Sequence, residues 1–334
     1  MIVVYGAYGH TGRFVVAELV ARGFFPVLAG RDEAKLKDLA GAYEEVEIRA
    51  AEVSDPEALD RALTGAKAVI NTAGPFAVTA GPVLEAAARA GIPYVDVAAE
   101  IEANADTFAR AAGLAIPVVP AMAFYGGLGD LLVTAAMGDW TAADEAHVAY
   151  GLSSWHPTAG TRKAGKVSAE RRDGRRVRFT RGKLEYHEDD LPTVRWDFPE
   201  PLGSCDVVGG FSMADVVTVP SHLAIPEVTT YMSVAAARDV TSPDTPAPAP
   251  ADARGRSAQT FLVDAVVRRD GEERRAVARG QDIYAVSAPL AVEAVQRVLS
   301  GRARTSGAAS AGAMFDAPDF LRALHPHIEV TLGA

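Results

Sequence analysis

The segment that most narrows what this chain can fold into is Gly6-Ala7-Tyr8-Gly9-His10-Thr11-Gly12-Arg13. It follows the apolar run Ile2-Val3-Val4-Tyr5 and opens a helical pattern, so its glycines occupy a strand-to-helix turn. There Gly6 permits the tight turn, Gly9 lets backbone N–H groups approach a pyrophosphate, and Gly12 allows the helix to pack closely on the strand. The helix N-terminus adds the positive potential that favours phosphate. Tyr8, His10 and Thr11 complete the turn and join the glycines as candidate nucleotide-binding residues. The spacing is GxxGxxG, one residue longer between the first two glycines than GxGxxG.

About the first 135 residues alternate short apolar runs with helical patterns, which predicts βαβ units and a parallel sheet. Strands are predicted near Ile2 to Tyr5, Pro26 to Ala29, Val46 to Arg49, Ala68 to Thr72, Tyr94 to Val97 and Pro117 to Val119. Asp32 and Asp55 are predicted helix N-caps, the second followed by Pro56 in the first turn. After about Met137 the pattern changes to alternating segments such as His147 to Tyr150, Val177 to Phe179 and Phe261 to Val267, which reads as antiparallel sheet. The expected fold class is α/β: an N-terminal Rossmann doubly wound parallel sheet over residues 1–135, then an α+β domain with a mainly antiparallel sheet over 136–334. Ser242 to Ala253, dense in proline, alanine and aspartate, is predicted as an exposed loop inside the second domain. Ala288 to Leu299 and Asp316 to Leu324 have helical spacing and fit against either domain.

Composition limits the function classes. With 334 residues, 49% hydrophobic, the chain can bury a real core. Its 33 Lys+Arg against 43 Asp+Glu, a net charge of -10, argue against a general nucleic-acid surface. One cysteine, Cys205, excludes an internal disulfide and cysteine-rich metal sites, and no HExxH spacing points to zinc. The opening lacks the basic region of a signal peptide and no apolar run reaches membrane-spanning length, so the expectation is a cytoplasmic protein with no metal.

The second predicted strand ends in Ala29-Gly30-Arg31, where an NAD site usually carries an acidic residue for the ribose 2′-hydroxyl. Arg31 suits a 2′-phosphate instead, which favours NADP(H), with Asp32 read as the helix cap. After the fourth strand, Ala73, Gly74 and Pro75 are placed to shape the wall along a bound cofactor, while Asn71 either holds the turn or touches ribose.

With these segments placed, the chain resembles the saccharopine dehydrogenase-like family in Gly6-xx-Gly9-xx-Gly12-Arg13, Ala29-Gly30-Arg31, Asn71-x-Ala73-Gly74-Pro75-Phe76 and Tyr94-x-Asp96-xxx-Glu100. The second half is more loosely similar, through Gly280-x-Asp282-x-Tyr284 and Phe315-Asp316 to Leu324. The resemblance implies an N-terminal NADP-binding domain, a C-terminal domain on an antiparallel sheet, and hydride transfer in the cleft between them. It leaves the acceptor open among C=N, C=C and C=O groups, since the family also includes trans-acting enoyl reductases. No amino-acid carboxylate clamp is visible in this sequence.

Two candidates for the proton donor follow. Tyr125 lies in Phe124-Tyr125-Gly126-Gly127-Leu128-Gly129-Asp130, where the domains are expected to meet, and is the leading one. His156, in Ser153 to Thr161, is second; that segment is read as a substrate loop leaving an edge strand. His222 is a weaker histidine of the same kind, and Asp96 and Glu100 are read as structural hydrogen-bonding groups. None of the nine tyrosines has lysine four residues later, which removes the tyrosine-lysine mechanism of short-chain dehydrogenases. The alternative to an oxidoreductase is a catalytically silent NADP-binding regulator resembling NmrA-like proteins. The expected partner is a small-molecule substrate, with pairing into a homodimer through the second domain.

Overall fold

A computed structural model describes residues 1–333. Strands β1 (Ile2–Tyr5), β2 (Pro26–Gly30), β3 (Glu47–Ala50), β4 (Val69–Asn71), β5 (Tyr94–Asp96) and β6 (Val118–Val119) form a parallel sheet in the order β3-β2-β1-β4-β5-β6. Helices α1 (His10–Ala21), α2 (Glu33–Ala40), α3 (Pro56–Leu63), α4 (Phe76–Ala90) and α5 (Ile101–Arg110) connect them. Alternation along β1 explains the winding: Ile2 and Val4 pack with Val15 and Leu19 of α1, whereas Val3 and Tyr5 pack with Leu59 of α3 and Leu84 of α4. Asp32 accepts from the Lys35 amide at 3.1 Å and Asp55 from the Ala58 amide at 3.0 Å, the two predicted caps. Strand order reverses between β1 and β4, so a crevice opens at their carboxyl ends.

The rest of the chain comprises α6 (Gly129–Met137), β7 (Glu145–Leu152), α7 (Ala159–Arg171), β8 (Arg176–Thr180), β9 (Lys183–His187), β10 (Thr193–Asp197), β11 (Ser204–Gly209), α8 (Asp215–Thr218) and β12 (Glu227–Ser233). It continues through α9 (Val234–Thr241), β13 (Thr260–Arg269), β14 (Glu272–Gln281), α10 (Ser287–Leu299), α11 (Ala311–Met314), α12 (Ala317–Ala323) and β15 (Ile328–Leu332). The second sheet runs β10-β11-β12-β7-β13-β14-β15, with β8 on β12 and β9 on β8. Among the described residues its pairings are antiparallel except β7 with β12.

Three details refine the sequence reading. Strand β7 is interior, not an edge: its run Ala146 to Leu152 is buried on both faces between β12 and β13. Ser242 to Ala253 has no regular structure but is tied down, since Arg162 donates to the carbonyls of Ser242 at 3.1 Å and Thr245 at 2.6 Å. Helix α10 returns to the first sheet and packs on α1, where Arg22 meets Glu293 at 2.6 Å, while α12 packs on α6 under the second sheet. Val15, Val148, Val263 and Leu290 consequently belong to one continuous core that joins both sheets. Among the described residues no helix is long and apolar enough to cross a membrane.

Candidate functional site

A cavity of about 990 Å3 opens at the crevice and extends between the two sheets. At one end it is lined by Gly6, Tyr8, Gly9, His10 and Thr11. Gly6 has φ +88°, and a Cβ there would sit 2.8 Å from Ala73 Cα, so only glycine lets the turn pass beneath the β4 loop. The amides of Gly6 and Ala7 both donate to Ala29 at 2.8 and 3.2 Å, which fixes the turn to β2. Gly12 lies beneath the cavity, where a Cβ would strike the Gly6 carbonyl and come within 2.7 Å of that of Ala7. Helix α1 begins at Gly9 with no side-chain cap, leaving an N-terminus of positive potential against the cavity. A glycine cradle and an uncapped helix start fit a dinucleotide's phosphates.

Arg31 is exposed at the same end and makes no hydrogen bond or ion pair among the described residues. Asp32 is engaged as the cap of α2 and pairs with Lys35 at 3.1 Å, which leaves the arginine as the unpaired cation beside the turn among the described residues. The Tyr8 ring lies over Gly30, whose Cβ would come within 2.9 Å of it. Ala73, Gly74 and Pro75 line the next stretch. Asn71 does not reach the cavity: fully buried, it accepts from the Ala73 amide at 3.1 Å and donates to the Tyr94 hydroxyl at 3.2 Å, so it holds the turn. Glu52 and Val53, past the end of β3, also line this end and were missed in the sequence. The 3-2-1 strand order was their only signal.

The far end is aromatic. Tyr125 lines it, is 6% exposed, and its hydroxyl has no hydrogen-bond partner. Its ring centroid lies 5.0 Å from that of Trp155, 4.9 Å from Tyr150 and 4.8 Å from Phe124. The Tyr125 backbone is extended, and Gly126 follows with φ +92°, where a Cβ would sit 2.8 Å from that of Ala121 and 2.9 Å from that of Ala214. Thr218 donates to the Gly126 carbonyl at 3.1 Å and the Phe124 amide donates to Ser287 at 3.2 Å, so elements from both halves of the chain fix this loop. Burial pushes the Tyr125 hydroxyl well above the ordinary tyrosine range, and Tyr284 and Asp215 add to the shift. The group is therefore a neutral, buried O–H donor in the cavity wall, with surroundings that disfavour a tyrosinate.

His156 is not at this wall. In the extended segment Trp155-His156-Pro157, the flanking residues are buried and line the cavity, whereas the half-buried His156 does not. Alternation puts its ring on the other side, and its carbonyl accepts from Tyr284 at 3.3 Å. The segment ends by capping α7, the Thr158 hydroxyl accepting from the Thr161 amide at 3.0 Å. His222 is also elsewhere, 2.8 Å from Asp130; burial alone would lower its pKa, but Asp130 outweighs burial and raises it. Asp96 accepts from Tyr94 at 2.9 Å and from the amides of Ala98 at 3.1 Å and Ala121 at 2.9 Å. Burial raises it to about 6 against those bonds. Glu100 accepts from the Phe76 and Ala77 amides at 2.8 and 3.1 Å, closing the N-terminus of α4. Both make the structural hydrogen bonds read for them, and Glu100 also lines the cavity.

Asp215 was missed. It is fully buried behind Tyr125, accepts from the Tyr150 hydroxyl at 2.9 and 2.8 Å, and is raised by burial to about 7. An aspartate inside Met213-Ala214-Asp215-Val216-Val217 was a visible signal of a buried carboxyl. Tyr284, known in the sequence only through the family motif, gathers Trp155 Nε1 at 3.2 Å and Thr161 Oγ1 at 3.0 Å on its hydroxyl.

Residues 2–115 match the saccharopine dehydrogenase NADP binding domain. The N-terminal domain belongs to this family. The cofactor of this domain is accordingly NADP(H). Over 116 residues the chain is 34% identical to a probable mitochondrial saccharopine dehydrogenase-like oxidoreductase of Arabidopsis thaliana. Over 111 residues it is 32% identical to a lipid droplet localized protein of Caenorhabditis elegans. Each alignment spans 30% of this chain and only 26% of the relative. The saccharopine dehydrogenase fold covers the whole chain: the apo L-Glu-forming enzyme of Saccharomyces cerevisiae superposes with a TM-score of 0.66 over 100% of this chain and 99% of the other, at 12% identity.

Proposed function

We propose that the protein is an NADP(H)-dependent oxidoreductase acting on a C=N, C=C or C=O group of a small molecule held between the two sheets. The observation that carries this reading is continuity: one cavity is lined both by the nucleotide turn and by Tyr125, whose buried hydroxyl lacks a partner. NADP(H), when bound, supplies or takes up a hydride. The protein's part is to orient the substrate and to stabilise charge on its acceptor atom. Tyr125 does this as a hydrogen-bond donor. Its raised pKa keeps the proton on the phenol, so the role is closer to that of an oxyanion-hole donor than of a general acid. Trp155 and Phe124 exclude water around that bond, and the Gly126 turn fixes its direction.

A catalytically silent regulator would need the nucleotide end alone, and an unpaired buried hydroxyl costs stability without a ligand to meet it. The test is NADPH consumption, followed at its near-ultraviolet absorbance, over a panel of imines, enones, aldehydes and ketones. Turnover of at least one class by the wild type and loss of it in Gly9→Val is expected. A protein that binds NADPH tightly yet consumes none across the panel would favour the regulator.

A further inference from the structure

The aromatic end of the cavity has a composition that selects its ligand. Away from the nucleotide turn the lining includes Phe124, Trp155, Phe211, Met213, Val240 and Ile283. Its polar groups are almost all engaged by the protein itself. Trp155 Nε1 donates to Tyr284, and Glu100 is held by two amides. Among the cations, Arg162 is bound to the Ser242 and Thr245 carbonyls, and Arg172 is neutralised by Glu102 at 3.3 Å, although its Nε has no partner. Lys163 and Lys166 of α7 are exposed. A carboxylate drawn in among the rings would leave Lys163 and Lys166 at exposed positions on α7 and would compete with Glu102 for Arg172, so its desolvation would be poorly compensated. Besides Arg172 Nε, two buried polar atoms of the lining have no partner among the described residues: His10 Nε2, whose ring lies 5.2 Å from that of Tyr284 on the nucleotide side, and the Tyr125 hydroxyl, a donor inside a wall of rings.

We infer that this end binds an uncharged, largely apolar carbonyl compound with an aryl or cyclic body, whose single acceptor oxygen takes the Tyr125 hydrogen bond. The inference rests on the oxidoreductase reading and names its substrate class. The rings of Trp155 and Phe124 suit a flat ligand, because offset and edge-on aromatic contacts add to simple burial. The same features disfavour an amino acid or oxo-dicarboxylate. Satisfying the buried Tyr125 donor while keeping charge away from the rings is what sets the preference.

The experiment is calorimetric binding to the full chain saturated with NADP+, which removes turnover from the readout. The probes are 4-phenyl-3-buten-2-one and 2-oxoglutarate, and each protein's NADP+ affinity is measured first. The neutral aryl enone is expected to bind at least about tenfold more tightly than the dicarboxylate. Tyr125→Phe should weaken enone binding roughly five- to tenfold, the worth of one neutral hydrogen bond. Trp155→Phe, which keeps a ring, should cost less, and Trp155→Ala more, each read as enone affinity at NADP+ concentrations that saturate that variant. Near-ultraviolet circular dichroism identifies any variant that has lost its packing, and Tyr125→Phe with Trp155→Phe then carry the test. Equal or tighter binding of 2-oxoglutarate overturns the inference, as does absence of enone binding by the NADP+ complex or enone affinity indifferent to both wall residues. Failure of NADP+ itself to bind would instead overturn the cofactor-dependent reading beneath it.

Discussion

The two ends of the cavity are built from different materials. The nucleotide end is mostly backbone: Gly6, Gly9 and Gly12 act by lacking a side chain, and the start of α1 supplies an uncapped N-terminus. The aromatic end is mostly side chain: Tyr125, Trp155, Phe211 and Tyr284 arrive from four distant points in the chain. A backbone site tolerates changes in its surroundings but not an added Cβ. A side-chain site tolerates conservative truncation but loses recognition with each contact. The two ends should accordingly fail separately when mutated.

The sharpest separation is expected from Gly9→Val. A Cβ at Gly9 would lie 3.1 Å from the Gly6 carbonyl, close but tolerable, so the fold should survive while the branched side chain occupies the phosphate's place. NADPH affinity should fall by about a hundredfold or more with native circular dichroism; an unchanged titration would remove the turn from the site. Next comes Tyr125→Phe, which should lower kcat by about a hundredfold while leaving NADPH affinity intact, in line with loss of one preorganised donor. Because the hydroxyl is raised well above the ordinary range, the wild-type rate should show no limb from this residue anywhere below about pH 10. A limb near neutrality that vanishes in Tyr125→Phe would restore it to proton transfer.

This contrast also explains what could be read from sequence. All six parallel strands, the glycine turn, the caps Asp32 and Asp55, and the place of Arg31 at the end of β2 were legible because each is specified within a few residues. The aromatic end was legible only in part. Tyr125 was found from its glycine-rich loop, but His156 was chosen for its chemistry although the extended run Trp155-His156-Pro157 alternates faces, and two neighbours that line the cavity leave the middle residue outside it. Phe211 reaches the cavity wall through strand pairings far along the chain, which no local pattern records, whereas the apolar run around Asp215 signalled a buried carboxyl but not its place behind Tyr125. The interior place of β7 was visible in hindsight, since Ala146 to Leu152 is buried on both faces.

Smaller effects sharpen the comparison further. Arg31→Ala should abolish a preference for NADPH over NADH of about tenfold or more, corresponding to roughly 1.5–3 kcal/mol for a charge-assisted pair. Preserved discrimination would mean that another group reads the 2′-phosphate. Asp215 has its pKa raised from 3.8 to about 7, so its protonated form is the one the fold favours. Its contribution to stability is present at low pH and is lost as pH rises through about 7. Asp215→Asn, neutral throughout, should therefore gain Tm relative to wild type progressively between about pH 4 and pH 7, on the order of 2–4 °C per kcal/mol relieved. A pH-independent difference would contradict the buried carboxyl's titration. His156→Ala should change kcat and NADPH affinity by no more than about twofold, as expected of a surface-facing side chain away from the cavity. A large loss would return the histidine to the site.

The most direct measurement is a crystal structure with NADP+ bound. The cofactor's 2′-phosphate is expected against the Arg31 guanidinium, its pyrophosphate over Gly9 and the start of α1, and its nicotinamide inside the cavity beside Tyr125 and Trp155. A nicotinamide directed to solvent, or a pyrophosphate away from the Gly6 to Gly12 turn, would contradict the assignment of both ends to one reaction.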